Sequence, residues 1–398
     1  MKKTFAFLVT TLLLVCMLGL LIACDNTGGT NDSTEGEISS PFYFIDHNDG
    51  KNCTVTVNVD EVAGSSIVFP AQSPDGLTVS AFKFAGNTDF VTSITIPEGV
   101  TTIGSSSFSN LTALETVNLP NTLVEIKNNA FEGCTALKSI SWPSSLEKIG
   151  GRAFAGTGFT TVNLPDTVTF MDGAFVDCAS LTSVNIPKNV TKNLSFDCFE
   201  NCPAISSITV SEGNPVYHAA NNCLIKTESK ELLMACKTSV IPDDGSVTVI
   251  GDAAFSGFQS LTTLTIPEGV TTLESSAFAN CTNLKTISLP STLTKIEAGA
   301  FYGCTSLNNV TIPTGVTEIQ SGAFSDCTSL TKITIPATVK KIGVHLSANG
   351  GDDVFRGCTS LQTVTYEGTI ITWRSACEYD DLKTTYKVSC LDGTVTFD

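Results

Sequence analysis

The most regular feature of the sequence is a phenylalanine that returns at intervals of 23 residues or close to it. A proline stands twelve residues after most of these phenylalanines, and glycine, asparagine or aspartate stands two residues after every one. Because these three residue types tolerate positive φ, each unit is predicted to turn a corner there. A unit of this length cannot close a core alone, so the next unit of a stack must cover its apolar face. The column has eleven members: Phe84, Phe108, Phe131, Phe154, Phe175, Phe199, Phe255, Phe278, Phe301, Phe324 and Phe355.

The unit at residues 300–320 alternates apolar and polar residues up to Pro313, which predicts a short strand with one face inward. A second apolar pair follows the proline. The segment that carries the phenylalanine is predicted to be short and either helical or irregular. Eleven such coils, stacked about 4.8 Å apart, would form a rod or shallow arc on the order of 50 Å long. The inward positions are Ala300, Phe301, Cys304, Leu307, Val310, Ile312, Val316 and Ile319.

This pattern closely resembles the BspA-like leucine-rich repeats, whose unit reads approximately A-F-x-x-C-x-x-L-x-x-I-x-I-P-x-x-V-x-x-I. The resemblance covers roughly residues 41–398. It implies a repeat solenoid, a β-rich leucine-rich-repeat stack of about eleven 23-residue coils with short helical turns and β-rich caps. Residues 93–110 and 263–280 also match at 12 of 18 positions, which indicates duplication of a larger block.

Irregular regions divide the chain into segments. By the same resemblance they are two caps and an insertion, and an open stack requires caps because its end coils would otherwise expose core. We expect the hairpin of the insertion, residues 222–236, to project from the stack. The predicted segments are a lipoprotein signal peptide (1–23), a lipidated cysteine and flexible tether (24–40), an N-terminal cap (41–83), repeats (84–202), an insertion with a β-hairpin (203–254), repeats (255–361) and a C-terminal cap (362–398).

The N-terminus has the pattern of a secretion signal. Two lysines precede an apolar run from Phe5 to Leu20. The sequence Leu21-Ile-Ala-Cys24 resembles the lipobox of bacterial lipoproteins, which implies cleavage before Cys24 and acylation of its thiol. An ordinary cleaved signal is the alternative. We expect the protein at the cell surface, lipid-anchored to a bacterial membrane, which is the outer membrane in a Gram-negative organism.

Composition argues against several classes of function. The 22 Lys and Arg residues stand against 39 Asp and Glu residues, so no basic stripe exists to bind nucleic acid. We predict that the protein is not an enzyme and has no catalytic residue, metal site or cofactor. A loop at 344–354 is either a Ca²⁺ site or an ordinary surface loop. No triad or metal motif includes the histidines His47, His218 and His345. Adjacent acids, typical of solvated turns, stand at 243–244, 352–353 and 380–381.

Cysteine is abundant and shares the repeat pattern. Without Cys16 and Cys24 the chain keeps 13 cysteines, an odd number, so at least one has no disulfide partner in the chain. Cys377 and Cys390 are the pair that most favours a disulfide. Seven others share the position three residues after the phenylalanine, and we predict a buried column of small apolar side chains. They are Cys134, Cys178, Cys202, Cys281, Cys304, Cys327 and Cys358.

The strand before the proline is the first strand of each unit. Its outward positions form two columns along the stack that are almost wholly serine, threonine and asparagine. One interpretation is that β-branched threonine suits exposed parallel strands. Another is a long, uncharged, hydrogen-bonding face of the kind with which solenoids hold partners. Interruptions by serine and asparagine disfavour a third, an ice-binding threonine array. We place the ligand-binding face at Thr263, Thr265, Thr286, Ser288, Asn309 and Thr311.

These features together predict a surface role. Members of the resembled family are implicated in adhesion to host matrix proteins and in coaggregation of bacteria. We predict a bacterial cell-surface lipoprotein that acts as a protein-binding adhesin toward host matrix proteins or other bacterial cells. The alternative is a structural or envelope-scaffolding lipoprotein without a host ligand, because both roles need a tethered repeat scaffold. The expected partners are extracellular proteins or cell surfaces, and the membrane through the lipid on Cys24.

Overall fold

The computed structural model describes residues 40–192, 194, 196–343, 354–377 and 386–395. Predictions about the rest of the chain stay predictions. Several of the predicted features lie outside the described residues: the signal peptide 1–23, Cys24 with the tether up to residue 39, His345, the acid pairs at 352–353 and 380–381, and nearly all of the loop 344–354.

The described residues form many short strands and little helix. In chain order, the strands up to the middle of the sequence are β1 (Phe42–Asp46), β2 (Asn52–Asn58), β3 (Ser66–Val68), β4 (Thr78–Ala85), β5 (Ser93–Thr95), β6 (Thr102–Ile103), β7 (Thr116–Asn118), β8 (Glu125–Ile126), β9 (Lys148–Ile149), β10 (Thr161–Asn163), β11 (Ser183–Ile186), β12 (Ser207–Val210), β13 (Tyr217–Ala220), β14 (Cys223–Lys226), β15 (Glu231–Met234) and β16 (Val249–Ile250). The others are β17 (Thr263–Thr265), β18 (Thr272–Leu273), β19 (Thr286–Ser288), β20 (Lys295–Ile296), β21 (Asn309–Thr311), β22 (Glu318–Ile319), β23 (Lys332–Ile335), β24 (Lys341–Ile342), β25 (Thr363–Tyr366), β26 (Lys387–Cys390) and β27 (Gly393–Val395). The helical segments are α1 (Ile370–Ala376) and two 3₁₀ helices at Val59–Glu61 and Phe196–Phe199.

The strands wind into a β-solenoid of about 14 turns. A regular turn has a first strand just before the proline position and a second strand after it. First strands pair in parallel with first strands of neighbouring turns, and second strands with second strands. The predicted fold class is confirmed, but the predicted count of eleven turns is too low. Counting the phenylalanine column misses turns that contribute no member to it. Strand β3 extends the stack before β5, and β26 extends it after β25. Residues 236–250 make a further turn whose second strand is β16.

The phenylalanine column forms the centre of the core. The rings of Phe278 and Phe301 stack with centroids 5.4 Å apart and planes at 6°. The Phe278 N–H donates to the Ala300 carbonyl at 2.8 Å, which ties each turn to the next. The residue two positions after each phenylalanine has positive φ, which confirms the predicted corner. These residues are Gly86, Asn110, Gly133, Gly156, Asp177, Asn201, Gly257, Asn280, Gly303, Asp326 and Gly357.

The hairpin of β14 and β15 lies inside the stack, so the expectation that it projects is wrong. Strand β15 pairs in parallel with β16, which makes the hairpin part of the 8-stranded sheet of second strands. Leu224 and Met234 pack into the N-terminal core. Cys223, Ile225 and Leu232 pack into the C-terminal core. Since both faces of the hairpin are buried, it forms a partition between two hydrophobic cores.

Sheet and helix cover the two ends of the stack. Strands β1, β2 and β4 form a sheet over the first turns, and Phe82 of β4 packs on Phe108 with ring centroids 5.2 Å apart. At the other end, β26 and β27 form an antiparallel hairpin. Trp373 of α1 is buried and meets Tyr366 edge-on at 5.3 Å. Aromatic side chains from these segments therefore shield the end turns from water.

Candidate binding face

The structure brings the six predicted ligand-binding residues together on one sheet. Strands β17, β19 and β21 are neighbours and run in parallel. Side chains on this surface point outward and are exposed, while the residues between them point into the core. Neighbouring strands lie about 4.8 Å apart, so the side chains form two close columns. We call this group the hydroxyl face: Thr263, Thr265, Thr286, Ser288, Asn309 and Thr311.

The hydroxyl face keeps most of its hydrogen-bonding groups unused. In the N-terminal half, some of the equivalent side chains bond to one another: Asn118 Nδ2 donates to Thr95 Oγ1 at 3.0 Å, and Thr209 Oγ1 donates to Asn185 Oδ1 at 2.8 Å. Of the six residues of the hydroxyl face, only Asn309 has a side-chain bond within the described parts of the chain, from Thr331 Oγ1 at 3.3 Å. The other hydroxyls are left to bond water or a partner.

The columns of outward side chains are not continuous along the molecule. The first strands form separate sheets, β3-β5-β7, β10-β11-β12 and the 7-stranded sheet that begins at β17. Ser139 and Ser141 are exposed as expected, but their turn has no first strand. The longest uninterrupted stretch of these columns is therefore in the C-terminal half, where the hydroxyl face lies.

The second strands carry a different surface, on which charges alternate. Lys295, Glu318 and Lys341 lie side by side across β20, β22 and β24. Lys295 Nζ also lies 2.7 Å from Glu297 Oε1. Such pairs stay hydrated and largely satisfy one another. The hydroxyl face is the less charged of the two surfaces.

The cysteine column is structural. The predicted burial of these side chains is confirmed, and each thiol also donates to a phenylalanine carbonyl of the preceding turn, a contact that the sequence pattern did not reveal. Cys281 Sγ donates to Phe255 O at 3.0 Å and Cys304 Sγ to Phe278 O at 3.1 Å. Burial raises the pKa of the Cys281 thiol to about 12, so it is protonated and unreactive at neutral pH. Cys390 carries no disulfide, so the predicted bond with Cys377 is wrong.

Acidic side chains gather at the corner after the second strands, a feature that our sequence analysis missed. Glu274 Oε2 accepts from the Asp252 N–H at 3.2 Å. Burial raises the pKa of both carboxyls, and the charges of Glu231 and Glu297 raise that of Glu274 further. The spacing of 22 and 23 residues from Asp252 to Glu274 to Glu297 was the available signal. Within the described residues no group of His, Cys, Asp or Glu is arranged to hold a metal ion.

The two described histidines lie in irregular regions. His47 Nε2 lies 2.8 Å from Thr54 Oγ1, and His218 Nδ1 lies 2.8 Å from Thr227 Oγ1. Each ring is therefore held by a threonine hydroxyl. Among the described helices, none has the length and apolar character needed to cross a membrane.

Stacked short coils with a phenylalanine column define a solenoid of the leucine-rich-repeat class. A sequence profile described as the BspA type leucine-rich repeat region matches six copies, over residues 77–206, 147–238 and 229–350. The chain belongs to this family.

Solved structures of bacterial proteins share the fold. A leucine-rich cell surface protein from Faecalibacterium prausnitzii A2-165 is 28% identical, with 88% of this chain and 100% of that chain covered and a TM-score of 0.61. The pneumococcal vaccine antigen PcpA is 20% identical, with coverages of 88% and 91% and a TM-score of 0.68. A leucine-rich repeat protein from Bacteroides ovatus is 24% identical, with coverages of 89% and 99% and a TM-score of 0.53. No curated protein sequence matches this chain significantly.

Proposed function

We propose that this protein is a bacterial cell-surface lipoprotein that binds extracellular proteins or other cells, and that it does so through the hydroxyl face. The observation that carries the proposal is the exposed, ordered array of side chains whose hydrogen-bonding groups are largely unused. The location draws support from the similar Faecalibacterium prausnitzii protein, which is described as a cell surface protein.

The chemistry of the hydroxyl face sets the kind of binding. A repetitive neutral array offers many weak and similar contacts, so a single copy binds modestly. Adhesion then depends on many anchored copies that act together. Lys and Arg are absent from the six positions, so binding depends little on salt. A protein that relied on its net charge of −17 would instead bind less tightly as salt rises.

A variant with lysine at four positions of the hydroxyl face is expected to lose binding, because four charges replace neutral donors and acceptors. The substituted residues are Thr263, Thr265, Thr286 and Ser288. Binding of the chain without residues 1–24 to candidate matrix proteins is measured by surface plasmon resonance at low and high salt. We expect the wild-type response to be nearly independent of salt.

A matched control carries lysine at four exposed threonines that lie outside the first strands, and it should bind as the wild type does. If both lysine variants bind like the wild type, this surface is not the binding site. If the wild type binds neither matrix proteins nor other bacterial cells, the scaffolding alternative is favoured. The control positions are Thr294, Thr314, Thr317 and Thr328.

Anchoring by lipid is the second part of the proposal, and it depends on Cys24. When the full chain is expressed in a bacterium, it should incorporate labelled palmitate and remain with the membrane fraction. Cys24→Ser should abolish the label, while Cys16→Ser, within the apolar run, should not. Labelling that persists in Cys24→Ser would refute lipid attachment at this residue.

A further inference from the structure

Strand β1 is the outermost strand of the sheet at the N-terminal end of the stack. It pairs with β2 in the order β1-β2-β4, and no strand within the described residues lies on its other side. In an antiparallel pair, alternate residues turn their backbone groups toward the neighbouring strand and away from it. The Asn58 N–H donates to Pro41 O at 2.8 Å, which assigns the odd-numbered residues to β2. The backbone groups of Phe42, Phe44 and Asp46 therefore face the outer edge of β1.

Inward side chains of β1 are more exposed than those of the strand beside it. Phe42 and Phe44 pack on the N-terminal core but are only partly buried. Val55 and Val57, which point inward from β2, have no exposed surface, and β2 has a neighbour on each side. An uncovered edge produces this difference, because no described strand beyond β1 shields its phenylalanines.

The outward face of β1 is apolar as well. Tyr43 and Ile45 point outward and are 51% and 56% exposed. Natural sheets commonly protect a terminal strand with charged side chains or proline, which prevent another strand from pairing with it. Strand β1 has no charged residue before Asp46, its last residue. Its outer edge therefore keeps the features that favour pairing with a further strand.

The surroundings of β1 favour a polypeptide over a lipid surface as the partner. Exposed acidic side chains lie in the strand, in the turn after it and against Tyr43, whose hydroxyl donates to Glu61 Oε1 at 3.5 Å. Hydrocarbon offers no hydrogen bonds, so the backbone groups of the outer edge would stay unsatisfied in a membrane. Another strand would satisfy them. The acidic residues are Asp46, Asp49 and Glu61.

The strand is complementary to a second copy of itself in one register. When two antiparallel copies are centred on Phe44, Tyr43 of each copy lies opposite Ile45 of the other, and the backbone groups of the two Phe44 residues bond to each other. The two Asp46 side chains then lie at opposite ends of the joint. Centring on Asp46 would place two carboxylates side by side, and centring on Phe42 would shorten the overlap.

We infer that two copies of this chain associate end to end, through antiparallel pairing of their β1 strands. The inference goes beyond the proposed function. A two-fold axis at Phe44 makes the two stacks extend in opposite directions. Both chains enter β1 from residue 40, beside the joint, so two copies tethered to one membrane can reach this arrangement. Tethering raises their effective concentration, and the pair carries two hydroxyl faces.

The register determines which cysteines cross-link. Two differently tagged forms of the full chain, one with Tyr43→Cys and the other with Ile45→Cys, are expressed together in a bacterium, oxidised by air and separated by non-reducing electrophoresis. Molecular oxygen accepts the two electrons and two protons that the thiols lose. We expect a disulfide-linked dimer that contains both tags, because residues 43 and 45 of the two copies lie directly opposite each other.

Either form expressed alone is the matched control and should give little dimer. Residue 43 lies diagonally from residue 43 of the other copy, at about 7–8 Å, which is beyond the reach of a disulfide. Absence of the mixed dimer overturns the inference. Equal cross-linking by the single forms overturns it too, because it would show contact without this register.

A second measurement needs neither new cysteines nor the anchor. Sedimentation velocity follows self-association of the chain without residues 1–24. We expect Ile45→Lys to weaken it at least tenfold, since a lysine on an edge strand opposes pairing. Ile371→Lys changes a residue of α1, at the other end of the stack, that is 74% exposed, and it should associate as the wild type does. Equal association of the wild type and Ile45→Lys overturns the inference.

The lipid alternative is tested with vesicles of phosphatidylcholine and phosphatidylglycerol. The chain without residues 1–24 should not sediment with them. Binding to the vesicles that Ile45→Lys abolishes would assign the outer edge of β1 to lipid and would overturn the inference. Binding of matrix proteins by the hydroxyl face does not involve β1, so the four-lysine variant tests the proposed function independently of these results.

Discussion

Ile312→Asp is expected to destabilise the protein by about 4 kcal/mol or more, one of the two largest effects that we anticipate for a single substitution. The Ile312 side chain is 3% exposed and belongs to the C-terminal core. The neighbouring positions of the core hold apolar residues, so a carboxylate at position 312 would have neither a cation nor a hydrogen-bond donor as its partner. The turns on either side already use their own backbone groups to hold the stack, so they cannot move to admit water.

Thr311→Asp is the matched control, because Thr311 precedes Ile312 and points outward. We expect it to change the free energy of unfolding by about 0.5 kcal/mol or less. Urea denaturation followed by circular dichroism measures both variants. Equal losses of stability would show that the alternation of inward and outward residues in β21 and the residue after it is assigned wrongly.

Ile225→Asp is expected to destabilise the protein as strongly, through the partition between the two cores. Ile225 has no exposed surface, and its neighbour Leu224 packs on the opposite side of the hairpin. A charge at this position disrupts the C-terminal core and displaces the strand that closes the N-terminal one. We therefore expect protection from hydrogen exchange to fall on both sides of the hairpin.

Lys226→Gln is the control for this position, since Lys226 lies next to Ile225 and is exposed, and a neutral residue adds no repulsion with Glu231, which pairs with it across the hairpin. It should leave the melting temperature and the exchange pattern nearly unchanged. Deletion of residues 223–234 should abolish cooperative unfolding altogether. A deletion variant that melts like the wild type would mean that the hairpin is dispensable, as a projecting element would be.

The repeat pattern predicted the inward positions because each turn obeys the same local rule. Phe301, Cys304 and Ile312 are buried as their spacing requires, since a strand that alternates in sequence can bury only one face. The number of turns could not be read in the same way. The turns at β3 and β26 pair with their neighbours but contribute no phenylalanine to the column. The repeat pattern therefore does not mark them as units.

The hairpin and the sheet breaks were missed for a different reason. Apolar residues on both faces of β14 and β15 are compatible with a projecting hairpin or with a buried wall, and only the parallel pairing with β16 decides between them. The break before β17 depends on Val240 bonding to Asn221, a contact between distant segments. The sequence therefore located the hydroxyl face but could not locate the break in the sheet beside it.

The division of the core at the hairpin has a consequence for how such a protein changes length. Each half buries its apolar residues against its own turns and against one side of β14 and β15. Whole coils can therefore be gained or lost in one half while the packing of the other stays as it is. The distance between the N-terminal cap and the hydroxyl face would then change in steps of about 4.8 Å, one for each coil added. Insertion and deletion of single repeats would thus alter how far the face stands from the N-terminal cap without altering the face itself.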